Sequence, residues 1–164
     1  MSSLFDCLPP EQRAALSGLK AANGLKPEDI GIGDVFRIKM DKTNGIVPKD
    51  GLDFRPKYFI ILGCAPDGTL YGGVVINKAV NPNIPEAKQK LHMEISREDY
   101  EFLTREKSYV DCSKVMQASV ATILTWEYLG AAPANDIPLI INRLTSPDNR
   151  FIRKAQLRAL GIIS

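Results

Sequence analysis

Apolar and polar positions change their spacing twice along the chain. Residues 9–22 open with Pro9-Pro10 and Glu11, place Ala15, Leu16, Leu19 and Ala22 at helical spacing, and stop at Asn23-Gly24. That pattern predicts a short helix with proline at its start and glycine past its end. From Gly33 the period becomes two. In residues 35–40, Phe36, Ile38 and Met40 alternate with Arg37 and Lys39, as in a strand with one buried face. The run Tyr58-Phe59-Ile60-Ile61-Leu62 is apolar at every position, which predicts a central strand buried on both sides. Pro66-Asp67-Gly68 is a hairpin turn signal before a partner strand over residues 70–76. Within that strand, Gly72-Gly73 marks a bulge or a close approach. Leu91, Met93 and Ile95 form another alternating strand.

Downstream, Ser96-Arg97-Glu98-Asp99 has the form of a capping box, and Tyr100 and Leu103 would share one face of a short helix. Residues 108–115 predict a further strand. Residues 116–129 fit strand or helix, with strand favoured for the first half. Near the end, Asp136 is placed to cap a helix whose Ile137, Ile140, Ile141 and Leu144 recur at i, i+3, i+4 and i+7. Ser146-Pro147 would cap a last helix that Gly161 stops. Two polar stretches, residues 41–54 and 77–90, read as long loops of the kind that carry function. Few helices intervene between strands, so a doubly wound parallel sheet does not fit. The expectation is a mainly β protein with flanking helices, built on an SH3-like small antiparallel barrel. Residues 1–32 would form a helical extension, 33–130 the barrel, and 131–164 helices packed on it. Phe36, Ile38, Phe59, Ile61, Val75, Met93 and Val110 are the predicted core.

Composition narrows the function. The 164 residues carry 21 basic and 19 acidic side chains, a net charge of +2, which fits neither a bulk nucleic-acid coat nor an acidic disordered tail. The charge is uneven: beyond Ile137 there are five basic residues, Arg143, Arg150, Arg153, Lys154 and Arg158, against one acid, Asp148. These read either as a solvated face or as an extension of an RNA path. No apolar run approaches the ~20 residues of a membrane span, and the N-terminus lacks the pattern of a signal peptide, so a cytoplasmic location is expected. Cys7, Cys64 and Cys112 include no CxxC pair and read as free, mostly buried thiols. The single histidine, His92, lies on the polar side of its strand and reads as a solvated strand histidine; a Ser-His-Asp triad would have to use it. No metal-ligand spacing, phosphate loop or nucleophile elbow occurs, and no metal or cofactor is expected.

Two short motifs remain. Gly33-Asp34 opens one strand, and Arg55-Pro56 closes the long loop and leads straight into the central one. Proline biases the residue before it towards an extended backbone, and a forked, permanently charged guanidinium suits a phosphate. On the residues alone, a surface salt bridge from Arg55 to Asp50 or Asp53 is the favoured account of the arginine.

The order Gly33-Asp34-Val35, Gly45, then Arg55-Pro56-Lys57-Tyr58-Phe59-Ile60-Ile61-Leu62, followed by residues 108–115, resembles the MazF/PemK (Kid) toxins of bacterial toxin–antitoxin modules. The resemblance covers residues 33–124. It implies an SH3-like barrel that forms a homodimer, a cognate antitoxin partner, and a metal-independent endoribonuclease that cuts single-stranded RNA through the 2′-hydroxyl. Arg55 would act on the scissile phosphate. The family's second residue, a Thr or Ser, maps near Asn77-Lys78. Asp53, or Asp50, would serve as base and Lys78 would assist the leaving group, while Asn77, Lys57 and Lys49 would contact RNA. The alternative is a barrel that binds RNA or a protein partner without cutting.

Overall fold

The apolar run at residues 58–62 lies in the middle of a strand and is buried on both sides. Tyr58 is 4% exposed, Leu62 2%, and the three residues between them are fully buried. The structure is a computed structural model that describes residues 8–16, 27–40, 55–76, 83–103 and 106–164. Its strands are β1 (Asp34–Met40), β2 (Arg55–Cys64), β3 (Leu70–Ile76), β4 (His92–Ser96), β5 (Lys107–Ala118) and β6 (Glu127–Ala131). They form one antiparallel sheet in the order β4-β5-β3-β2-β1-β6. The protein is therefore mainly β, as its alternation predicts. The sheet does not close on itself: β4 and β6 stand at its two edges without pairing to each other. The helices are α1 (Pro10–Leu16), α2 (Glu86–Gln89), α3 (Val120–Ile123), α4 (Asp136–Leu144) and α5 (Lys154–Ala159), with a 3-10 turn at Pro27–Asp29.

Successive residues of a strand point to opposite faces, and here each face has its own apolar layer. On one side Phe36, Phe59, Ile61 and Leu70 pack with Leu8, Leu16, Ile30, Val120, Ile123 and Leu124. On the other, Val35, Tyr58, Ile60, Leu62 and Val110 pack with Ile137, Ile140 and Leu144 of α4 and with Leu157 of α5. Of the predicted core, Phe36, Phe59, Ile61, Val75, Met93 and Val110 are buried; nothing is described of the Ile38 side chain.

Local turns follow the sequence closely. Gly68, at φ 91°, completes the β2–β3 hairpin, and its amide donates to the Ala65 carbonyl at 2.9 Å. Gly33, at φ 95°, donates to the Ile61 carbonyl at 2.7 Å before β1 begins. Such a backbone is costly for any residue with a Cβ. Gly72 sits where the pairing of both β2–β3 and β3–β5 slips in register. A Cβ there would run into the Ile60 carbonyl and the Phe59 ring. Gly161, at φ 76°, ends α5 in a Schellman turn: Gly161 donates to the Arg158 carbonyl at 3.0 Å and Ile162 to the Leu157 carbonyl at 2.9 Å.

Three local expectations are corrected. Ser96 closes β4, and residues 97–102 form successive turns instead of a helix. The Ser96 hydroxyl donates to the Asp99 carboxylate at 3.3 Å, so it is not used to cap a helix amide. α4 is preceded by Asn135 as its N-cap residue, with no side-chain cap. The Asp136 carboxylate instead accepts the Tyr100 hydroxyl at 2.6 Å. α5 starts at Lys154, well after Ser146-Pro147, because Asn149 holds the intervening chain in a separate turn. The end of the first predicted helix, beyond Leu16, lies outside the described residues. So do Cys7 and residues 41–54 and 77–82.

Gly72→Val is expected to lower the unfolding free energy by about 1–3 kcal/mol, the usual cost of overpacking. Urea denaturation would read this as a lower midpoint at unchanged slope. A wild-type midpoint would contradict the close approach described at Gly72.

Candidate functional site

Arg55 is the first residue of β2, and its backbone pairs with Met40, the last residue of β1. Pro56 has no N–H to give to a ladder. It precedes Tyr58, the first β2 residue paired with β3, so it blocks no hydrogen bond between those strands. β3 ends at this same end of the sheet, with Ile76 paired to Tyr109 of β5. Lys57 is half-buried and pairs with Ile38. Arg55 and Lys57 are thus brought together by one strand. Asp53, Lys49, Asn77 and Lys78 lie outside the described residues.

The Gly33-Asp34 motif forms a tight turn into β1. The Gly31 amide donates to the Asp34 carboxylate at 2.8 Å, and the Asp34 amide returns to the Gly31 carbonyl at 3.2 Å. Burial raises the Asp34 carboxyl above its ordinary range, and the Gly31 hydrogen bond opposes that rise. Asp34 therefore acts as the staple of a turn.

A second polar cluster lies on β4 and β5, and the sequence reading missed it. His92 is not solvated: its side chain is 4% exposed. It pairs across the strands with Asp111. Its Nδ1 lies 3.0 Å from the Lys88 carbonyl and its Nε2 3.7 Å from the Asp111 carboxylate. The Lys88 carbonyl of α2 and the Asp111 carboxylate of β5 thus face the two ring nitrogens. Asp111 Oδ1 accepts the Ser113 hydroxyl and, at 3.0 Å, the Ser113 amide. Lys114 approaches Oδ2 at 3.8 Å. Burial alone would raise the Asp111 carboxyl. The two Ser113 hydrogen bonds, then the His92 ring and the Lys114 ammonium, outweigh burial and hold it below its ordinary range. Ser113 donates to Asp111 and not to His92, so the three residues are not wired as a nucleophile–base–acid relay. The cluster joins β4 to β5. Its signal in the sequence was the pair Asp111 and Ser113, polar at i and i+2 and so on one face of the strand.

The neighbouring Cys112 is fully buried, and burial pushes its thiol up to about 12. Such a thiol is inert near neutral pH. Cys64 is half-buried, with its Sγ 3.3 Å from the Ala65 carbonyl.

Asn149, 9% exposed, anchors the chain between α4 and α5. Its Nδ2 lies 2.9 Å from the Cys112 carbonyl, 3.1 Å from that of Arg143 and 3.3 Å from that of Leu144. Its Oδ1 accepts the Phe151 amide at 3.2 Å. One amide thus serves carbonyls at the end of α4, ties β5 to the helical layer, and fixes the residues after it. Arg150, Arg153, Lys154 and Arg158 are all exposed. Beside this anchor, a cavity of ≈ 710 Å³ opens between α2, the end of α4 and the connector.

No protein-family model matches the chain, and no curated protein sequence matches it. Among the described residues no helix is long and apolar enough to cross a membrane.

Ser113→Ala is expected to cost about 1–3 kcal/mol at pH 7, because a buried carboxylate loses a donor. The Asp111 carboxyl is depressed in the folded state, so its stabilisation is fully present above its ordinary value of 3.8 and is lost as pH falls through the folded value. The gap between wild type and variant should therefore narrow below about pH 4. Urea titrations at pH 7 and pH 3 would show this, and an equal gap at both would contradict it.

Proposed function

We propose that the protein is a MazF/PemK-like, metal-independent endoribonuclease acting on single-stranded RNA at the sheet end where Arg55 begins β2. The observation that carries the reading is that its two motifs open adjacent antiparallel strands, at opposite ends of the β1–β2 pair. Gly33-Asp34 enters β1, Arg55-Pro56 enters β2, and these adjacent antiparallel strands bring Arg55 against the end of β1. With the reading comes the SH3-like barrel as the parent architecture of this open sheet. It also implies a homodimer, a cognate antitoxin protein and a cytoplasmic setting.

In the proposed reaction the 2′-oxygen attacks the adjacent phosphorus. The 2′-O–P bond forms and the P–O5′ bond breaks, leaving a 2′,3′-cyclic phosphate and a 5′-hydroxyl. Negative charge builds on the non-bridging oxygens, where the Arg55 guanidinium contributes most. Asp53 takes the 2′-hydroxyl proton, the Lys78 ammonium gives a proton to the departing O5′, and exchange with water then restores both groups. Asn77, Lys57 and Lys49 hold the flanking phosphates.

One sequence feature favours a second reading. The family's Thr or Ser is replaced here by Asn77-Lys78, so a sheet that binds RNA or a protein partner without cutting is the alternative.

Incubating purified protein with mixed-sequence RNA in EDTA decides between them. The endoribonuclease reading predicts fragments with 2′,3′-cyclic phosphate ends. It also predicts that activity falls by about 10²-fold or more in Arg55→Ala, the scale on which removing one oxyanion donor acts. Retained RNA binding with no cleavage by well-folded protein would establish the alternative.

A further inference from the structure

We propose that the cavity between α2, the end of α4 and the connector to α5 is a nucleotide-binding site. Its phosphate would lie on Arg143 and Arg150 and its base against Phe151. The site is separate from Arg55: the cavity adjoins Leu91, just before edge strand β4, and two strands stand between β4 and β2. The proposal stands whether or not Arg55 cuts RNA.

Size and shape come first. A volume of ≈ 710 Å³ lies within the range of pockets that hold small molecules. Charge sets the ligand class. Lys90 is offset by Glu86 at 3.7 Å. Among the described residues, neither Arg143 nor Arg150 has a carboxylate within ion-pair distance. Arg143 makes only a long bond, 3.4 Å, to the Leu139 carbonyl. Two unpaired forks beside a single remaining acid, Asp148, make an anion-selective wall.

Phe151 supplies the other half. It is 40% exposed, one of only three large apolar side chains so exposed among the described residues. The Lys88 ammonium lies 5.7 Å from its ring centroid. An exposed ring next to unpaired arginines is the pairing that stacks a base and holds its phosphate. Ser146, on the same wall, adds a hydroxyl for the sugar or base edge.

The wall is also rigid before any ligand arrives. Asn149 ties the connector to β5 and to the end of α4, and it accepts the amide of Phe151 itself. Arg150 and Phe151 therefore leave a fixed backbone, which lowers the ordering cost of binding.

The test uses full-length protein and equilibrium dialysis with 5′-AMP, adenosine and a 2′-O-methyl hexaribonucleotide, which resists 2′-hydroxyl chemistry. AMP or the hexamer should bind, and adenosine should bind at least tenfold more weakly than AMP. Phe151→Ala should weaken binding about 5- to 100-fold. Arg150→Gln should weaken AMP about tenfold or more, or lower the hexamer's salt slope by about 0.7. Both side chains are exposed, and unchanged urea midpoints would show that the variants fold. Binding of AMP alone assigns the site to free nucleotides; tighter binding of the hexamer assigns it to a strand. Absence of binding by wild type at millimolar concentration, or wild-type affinity and salt slope in both variants, would overturn the proposal.

Discussion

Burial of β2 on both faces is the constraint on which the rest of the structure depends. An apolar residue at every position from Tyr58 to Leu62 cannot leave either side of the strand in water. Each such side chain contributes about 1.5–3 kcal/mol when fully buried. One face is covered by α1, α3 and the segment around Ile30, the other by α4 and α5. The helices at both ends of the chain are thus drawn onto a single sheet. With both faces occupied by separate layers, the sheet gains its core without wrapping round on itself, and β4 and β6 remain as edges. The same burial sets where β2 begins, and hence where Arg55 stands relative to the end of β1.

Polar side chains then fix how the layers sit. Tyr100 reaches from the turn after β4 to Asp136 at the start of α4. Burial and the nearby Asp136 raise its hydroxyl well above the ordinary tyrosine range, so it stays a donor. Asn149 links the far end of the same helix to β5, and Asp111 gathers His92, Ser113 and Lys114 at the β4–β5 pair. Among the described residues, no buried side-chain nitrogen or oxygen lacks a partner. That is the condition under which interior polar groups specify one arrangement instead of destabilising it. The exposed pair Arg37–Glu127, 3.9 Å apart, contributes little by comparison.

Elements with a strong periodic signal were legible in the sequence. β1, β2, β3, the hairpin at Pro66-Asp67-Gly68, the apolar face of α4 and the stop at Gly161 all follow from spacing and turn chemistry. What eluded the sequence were partners distant along the chain. Ser96 and Asp136 have the residue types of helix caps, but their side chains found Asp99 and Tyr100. His92 looked solvated because strand alternation alone cannot show that the Lys88 carbonyl and the Asp111 carboxylate meet its ring. Asn149 joins three carbonyls, one of them 37 residues away, and no local pattern announces that. Of the candidate site, Arg55 and Lys57 were legible as the entry to the central strand. The cavity beside Phe151 was not, since two stretches about fifty residues apart, 86–91 and 142–151, compose it.

The central claim is that this sheet end performs in-line chemistry through the 2′-hydroxyl. Its most direct test is an oligonucleotide that carries a single 2′-deoxy substitution, at a position cut in the all-ribose parent. The account predicts that cutting disappears at that position alone, while binding and cleavage elsewhere persist. Continued cleavage at the 2′-deoxy position would contradict it.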